Sequence, residues 1–289
     1  ISKVFIKSFI KKNNINMDDF INQKYTSFND FFIRKFLFII IIYWYYEKFI
    51  KDNGGNHFIS LIPDKNYFLG KDYGYPAPDY EKLTEKVTEA LPGMEYIDIF
   101  SVLTVDDYYT TDSHWKQENI VKVAEKLGNQ MNFEAMPYEF YTAEKITDFK
   151  GVYSSRLALG DMKDEIICLH SDATKNASVH NLETNKTSPG VYDMSKLGSG
   201  DKYDIYLSGA TALLTVKNPL AKEQRELVVF RDSFGSSLIP LMLESYSKIT
   251  IVDLRYISSQ ILDTYVNFEN CDVLFIYNTR ILNQSSLLK

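Results

Sequence analysis

Leu227-Val228-Val229-Phe230-Arg231-Asp232-Ser233-Phe234-Gly235-Ser236-Ser237-Leu238 is the stretch that decides the fold. Its first four residues are apolar and two of them are β-branched, the composition of a buried strand. Asp232 and Ser233 close that strand, Gly235 permits a tight turn, and Leu238 to Tyr246 has helical composition apart from Pro240. Strand, sharp turn and helix set one hydroxyl at the carboxyl end of a strand, the edge where open α/β sheets bind ligands. Amides at the start of the following helix point toward that edge and suit an oxyanion. A serine in this position is a nucleophile if a base reaches it. Equally, Asp232, Ser233 or Ser236 caps the helix. The segment alone leaves both readings open.

Working outward, the same alternation of strand and helix recurs. His57 to Ile62 alternates into the turn Pro63-Asp64-Lys65, a strand with its stop. Asp79 to Leu91 places Tyr80, Leu83, Val87 and Leu91 on one helical face, and Pro92-Gly93 ends it. Met94 to Phe100 reads as the next strand. After a polar loop comes Asp112-Ser113-His114-Trp115, and from Trp115 onward Ile120, Ala124, Leu127 and Met131 mark a second amphipathic helix. This crossover order predicts a largely parallel sheet. Residues 133–220 break the pattern: short apolar pieces such as Glu165 to Leu169 alternate with turns, an irregular, partly β insertion. Strands return at Ala212–Val216, Lys248–Leu254 and Cys271–Tyr277, with a helix around Ile261, Leu262 and Tyr265 before the last.

The 289 residues suffice for one large domain or two small ones. A 45% hydrophobic and 24% charged composition is that of an ordinary globular protein. The net charge of −6, without a basic stripe, argues against a nucleic-acid partner. Cys168 and Cys271 form no disulfide framework and no metal spacing. The chain begins at Ile1, which leads to the expectation of a fragment. Phe36 to Tyr46 is an apolar run of 11 residues, short beside the roughly 20 of a bilayer span. Burial in the protein and contact with a membrane both fit it, as does a join between unrelated segments.

Four histidines are present, His57, His114, His170 and His180. Only His114 follows an expected strand, precedes an expected helix and has a carboxylate two residues away. A base for Ser233 needs an imidazole held in one tautomer by an acid, and Asp112 serves if the loop bends back. The alternative is that Asp112 or Ser113 caps a helix starting near Trp115, with His114 exposed. The other histidines lack metal-ligand spacing, so neither a metal nor a cofactor is expected.

Two resemblances bear on these motifs. Asn16-Met17-Asp18-Asp19-Phe20 and Ser27-Phe28-Asn29-Asp30-Phe31-Phe32-Ile33-Arg34-Lys35 resemble the N-terminal part of bacterial phosphatidylserine decarboxylases. The self-cleaving Gly-Ser motif of those enzymes has only a faint echo, Leu197-Gly198-Ser199-Gly200, so no decarboxylase activity is inferred. Tyr108 to Trp115, Phe230 to Ser237 and Val252-Asp253-Leu254-Arg255-Tyr256 occur in the order of the bacterial family named for its Asp-His-His-Trp motif. That family is similar to the alginate O-acetylation proteins, with an SGNH hydrolase-type fold. The likeness spans about residues 56–289 and implies an α/β fold, a three-layer SGNH hydrolase-like parallel sheet. The implied domain plan is a decarboxylase-like piece at 1–35, an apolar junction at 36–55, and an N-terminally incomplete SGNH-like domain at 56–289.

By this resemblance Asp112 and His114 match the acid and the second histidine of the motif, Ser113 replaces the first, and Ser233 matches the nucleophile. The implied activity is serine-dependent acyl-ester transfer or hydrolysis on an envelope or secreted polysaccharide or acyl-sugar, with an extracytoplasmic, membrane-associated parent. Amides of Ser233, Phe234 or Gly235 are the oxyanion donors to test. Arg255 and Tyr256 are substrate candidates, although pairing of Arg255 with Asp253 is the preferred reading. The rival is a non-catalytic carbohydrate-binding or envelope scaffold protein, which a wide Ser233–His114 separation would favour.

Overall fold

Ten strands occur among the described residues of the computed structural model, which are 38–156, 160–198, 200–258, 261–283 and 288. The decarboxylase-like segment 1–35 and Ser199 lie outside them. The strands are β1 (His57–Ile62), β2 (Glu95–Tyr96), β3 (Thr142–Phe149), β4 (Asp164–His170), β5 (Ser178–Asn181), β6 (Lys186–Pro189), β7 (Leu213–Lys217), β8 (Glu226–Arg231), β9 (Lys248–Val252) and β10 (Asp272–Asn278). Eight form one sheet in the order β2-β1-β10-β8-β9-β7-β5-β6. Pairing is parallel from β2 through β9, with Phe230 opposite Phe275 and Val229 opposite Ile251. It turns antiparallel at β7, β5 and β6.

Both faces of β8 are buried, so its apolar run is continuous rather than alternating. Val228 and Phe230 enter one core and Leu227 and Val229 the other, the period-2 division of a central strand. The first face is covered by α1 (38–45) and by α3 (Tyr80–Ala90), whose Tyr80, Leu83 and Val87 point inward. In sequence α2 (Lys65–Tyr73) comes between these two, with Phe68 packed against the second core. The second face is covered by α4 (Val121–Met131) and by α5 (Gly235–Leu238), which continues as a 3₁₀ turn to Ser245. Pro240, which lacks an N–H, sits where α5 passes into the 3₁₀ segment. The result is the expected three-layer α/β architecture.

From residue 38 the apolar run is a helix, α1, with residues 38–42 at most 4% exposed. A helix that is apolar all round belongs in an interior. Phe38 meets Tyr277 edge-on at 5.4 Å and Tyr45 lies 5.7 Å from Phe230, so the run packs across β8 and β10. The packed body therefore starts upstream of residue 56, and the expected boundary there falls within one core. No described helix is long and apolar enough to cross a membrane.

Three further expectations change in detail. The strand at Met94–Phe100 contracts to Glu95–Tyr96, although the Ile97 amide still donates to Ile59 O at 2.9 Å. This is a sheet edge, and Asp98 accepts the Phe100 amide and turns the chain away. The second amphipathic helix starts at Val121 rather than near Trp115, because Trp115 is held in a bridge opposite Tyr108. The insertion separates into a two-stranded β3–β4 unit and a β5–β6 hairpin that extends the main sheet.

Candidate active site

The serine turn is built by its own neighbours. Where β8 ends, the Asp232 carboxylate accepts the amides of Phe234 at 2.9 Å and of Asn278, on β10, at 2.7 Å. The Gly235 amide donates to Asp232 O and that of Ser236 to Ser233 O, both at 3.1 Å. Gly235 is required here: a Cβ would stand 2.8 Å from Arg231 Cβ. The turn leaves Ser233 partly open to solvent between buried Asp232 and buried Phe234. Phe234, at the start of α5, receives no cap from Ser233 or Ser236; of the three capping candidates only Asp232 bonds an amide there, which leaves the Ser233 hydroxyl free of a capping role.

Opposite stands a loop from Asp107 to Gln117. It is closed by Tyr109 N to His114 O at 3.0 Å and Lys116 N to Asp107 O at 2.7 Å. Inside it, Asp112 Oδ1 accepts the His114 amide at 2.9 Å and faces His114 Nδ1 at 2.6 Å. His114 Nε2 lies 2.8 Å from Ser233 Oγ. With Nδ1–H donating to Asp112, Nε2 carries the lone pair that accepts the serine hydroxyl. Asp112 and Ser113 do not cap α4, whose cap residue is Ile120. The three residues picked out in the sequence are thus brought into one hydrogen-bonded line.

Asp112 is fully buried. Burial pushes its carboxyl up, but the His114 ring and amide and the Val152 amide at 2.9 Å outweigh that and bring it down to about 2. The remaining supports come from far in sequence. Lys65 Nζ donates to Asp112 O at 2.7 Å and to Tyr109 O. Burial lowers the Lys65 pKa, while the nearby Asp112 and Asp164 carboxylates act to raise it. Asp164 accepts the amides of Thr110 and Thr111 at 3.0 and 2.6 Å. Gly151 is tight against the acid: a Cβ there would lie 2.3 Å from Asp112 Cβ and 2.5 Å from Thr111 O.

Trp115 and Gln117 join the two halves. Trp115 Nε1–H donates to Phe234 O at 3.0 Å and to Ser237 Oγ at 2.9 Å, and Gln117 Nε2 donates to Ser237 O at 2.8 Å. Gln117 Oε1 accepts the Leu169 amide at 2.8 Å and the Tyr192 hydroxyl at 3.0 Å. Trp115 is fully buried, which fits a packing role.

The other expected site residues fare differently. The Phe234 and Gly235 amides are both committed to Asp232, whereas the Ser233 amide has no acceptor among the described residues. Phe234 instead supplies a wall, its ring 4.8 Å from that of His114. Arg255 grips Asp253 with Nε at 2.8 Å and Nη2 at 2.6 Å, the structural pairing preferred above. Asp253 also faces fully buried Arg231 at 3.5 Å. Tyr256 is 47% exposed beside Arg255. Lys65, Gly151, Asp164, Tyr203 and Gln117 were not picked out as site residues. Only Lys65 carried a signal, its place in Pro63-Asp64-Lys65 at the carboxyl end of a strand.

The family model described as DHHW protein matches residues 94–252, more than half of the chain. Among solved structures the chain is similar to a DHHW family protein from Eubacterium siraeum, with a TM-score of 0.73 and 18% identity over 88% of this chain and 87% of that one. It is also similar to Bacillus cereus PatB1 with a sulfonyl adduct, TM-score 0.65 and 16% identity, covering 92% of this chain and 91% of the other. The O-acetyltransferase domain of Pseudomonas putida AlgJ follows with a TM-score of 0.50 and 12% identity over 90% and 86%. At these identities the likeness is one of fold. A search of the curated proteins finds no match.

Proposed function

The chain belongs to the DHHW protein family, and from the geometry of its site we propose that it is a serine-dependent acyl-ester enzyme, an O-acetyltransferase or esterase acting on an extracytoplasmic polysaccharide of the envelope or a secreted glycan. The observation that carries this is the unbroken line Asp112–His114–Ser233, with contacts of 2.6 and 2.8 Å. Ser233 Oγ attacks the acetyl carbonyl carbon while its proton passes to His114 Nε2. The Ser233 amide is the available donor for the carbonyl oxygen as it becomes an oxyanion. Asp112, held ionised well below neutral pH, fixes the tautomer and stabilises the imidazolium. His114 returns the proton to the departing alcohol, leaving an acetyl ester on Ser233. A sugar hydroxyl or water, deprotonated by His114, then attacks that ester and regenerates the serine.

The names of the neighbours agree with this reading. AlgJ is solved as an O-acetyltransferase domain, and a sulfonyl adduct on PatB1 is the product expected of a nucleophilic side chain. Tyr256, exposed at the carboxyl edge of the sheet, is the remaining candidate for substrate contact. The 2.8 Å contact between Ser233 and His114 supports the enzyme over the carbohydrate-binding or scaffold alternative.

The test is turnover of p-nitrophenyl acetate by the full chain, beside Ser233→Ala and His114→Ala. Both substitutions are expected to lower kcat at least about a thousandfold with unchanged circular dichroism, and an acetylated Ser233 peptide should appear in the quenched wild-type reaction. Equal background rates in three folded proteins would replace this reading with the non-catalytic one.

A further inference from the structure

The insertion delivers one aromatic ring to the site. Tyr203 lies in the 3₁₀ turn Lys202–Ile205, is 2% exposed, and stacks on the His114 imidazole with centroids 3.9 Å apart and planes 10° from parallel. Its backbone is fixed by Asp201 Oδ1, which accepts the Tyr203 amide at 2.9 Å. Its hydroxyl lies 2.8 Å from Ser237 Oγ, the same atom that receives Trp115 Nε1–H. The ring is therefore tied to the turn that presents Ser233 while it covers one face of the base.

We propose that Tyr203 is a positioning residue for His114, whose ring face locks the imidazole plane and favours its protonated form during acyl transfer. This rests on the serine mechanism above. The two hydrogen bonds of His114 lie in the plane of its ring, and a rotation about Cβ–Cγ would break both at once. A parallel ring at 3.9 Å adds steric resistance to that rotation beyond what the two hydrogen bonds supply, and Phe234 stands as the neighbour at 4.8 Å, tilted by 50°. The negative face of an aromatic ring also attracts a cation, and the imidazole becomes a cation only after Ser233 gives up its proton. The stack therefore strengthens in the state that follows proton transfer, which is the condition for an interaction to accelerate a step.

Other charges surround the stacked pair: Asp112 in the loop of His114 and Asp204 after Tyr203 act on His114 itself, Arg231 and Asp232 at the end of β8 act on Tyr203, and Lys65 from α2 binds the loop carbonyls. All of them remain in variants that alter only the ring at position 203.

The experiment compares wild type, Tyr203→Phe and the full chain carrying pentafluorophenylalanine at position 203, which keeps the shape of the ring and reverses its quadrupole. Tyr203→Leu removes the ring. The His114 ring titration is followed by NMR, assigned with His114→Gln, alongside the pH profile of kcat for ester turnover. Tyr203→Phe is expected to retain the wild-type midpoint and most of kcat. The fluorinated ring and Tyr203→Leu should each lower the midpoint by about half to one unit, with kcat reduced about tenfold at neutral pH and KM little changed. Equal midpoints for the phenyl and pentafluorophenyl rings would overturn the proposal, as would a Tyr203→Phe variant as impaired as Tyr203→Leu. Loss of Ser233-dependent turnover in the wild type would instead overturn the serine mechanism, and the NMR midpoints, read without turnover, would still test the stack.

Discussion

The two halves of the site are held in opposite ways. Around Ser233 the serine turn is set mainly by its own chain: Asp232, Gly235 and Ser236 make bonds spanning at most three residues, Asn278 adds a tie from the adjacent strand, and Trp115, Gln117 and Tyr203 bond only its far side, at Phe234 O and Ser237. The histidine loop closes on itself only through a few backbone bonds. Its shape comes from Lys65, Gly151, Val152, Asp164 and Tyr203, residues drawn from α2 and from the insertion. The nucleophile is thus placed by local chain geometry and the base by the tertiary fold. A defect in remote packing should accordingly disable the base before it disturbs the serine.

The largest effect should come from the acid that both halves depend on. Asp112→Asn keeps the shape but favours the wrong imidazole tautomer, and kcat should fall by about four orders of magnitude. The same substitution gives a stability signature. The Asp112 carboxyl is depressed from 3.8 to about 2, so its contribution, about 2 kcal/mol, is complete above pH 3.8 and fades as pH falls toward 2. Urea midpoints of wild type and Asp112→Asn should therefore differ at pH 6 and converge near pH 2. A constant difference across that range would place the effect elsewhere than in the charge.

A matched pair of glycines separates the halves directly. Gly151→Ala drives a methyl into Asp112 Cβ and the Thr111 carbonyl, whereas Gly235→Ala meets the Arg231 side-chain stem at 2.8 Å or more. The first should cost about a hundredfold in kcat by displacing the acid and shift the His114 ring resonances. The second should act mainly through stability, by about 1–3 kcal/mol. If Gly235→Ala perturbs the His114 resonances as much as Gly151→Ala does, the division between local and tertiary placement fails. A smaller effect is expected of Lys65→Met, which leaves the Asp112 and Tyr109 carbonyls without their donor. About 1–3 kcal/mol of stability and a several-fold loss in kcat should follow, measurable by thermal melting and steady-state kinetics.

The same division explains what could be read from the chain in advance. β1, β8, β9, β10, α3 and α4 announce themselves because each buries a face or a full strand, and burial leaves a period in the sequence. Ser233, His114 and Asp112 were legible because a strand end, a spacing of two and an ordered family resemblance converged on them. Tyr203 and Gly151 left no trace, since contact across more than 30 residues imposes no period on either partner. The apolar run 36–46 was ambiguous for a related reason: its composition suits any apolar surroundings, and only the aromatic face formed by Phe230, Phe275 and Tyr277 selects one. Which of the Ser233, Phe234 and Gly235 amides is open to an oxyanion cannot be read from the chain, because only the fold shows Asp232 taking the latter two.

Gln117 extends these connections to the behaviour of the whole molecule. Its one amide group bonds Ser237 O, the Leu169 amide and the Tyr192 hydroxyl, so β4, the histidine loop and the serine turn share a single buried knot. Elements joined in that way open together rather than by separate fraying. Leu169 N–H should accordingly exchange with solvent deuterium only on global unfolding, at the same rate as the amides of β8. The irregular insertion, for all its loops, is then part of the same cooperative unit as the sheet, and it cannot be trimmed away to leave a working half.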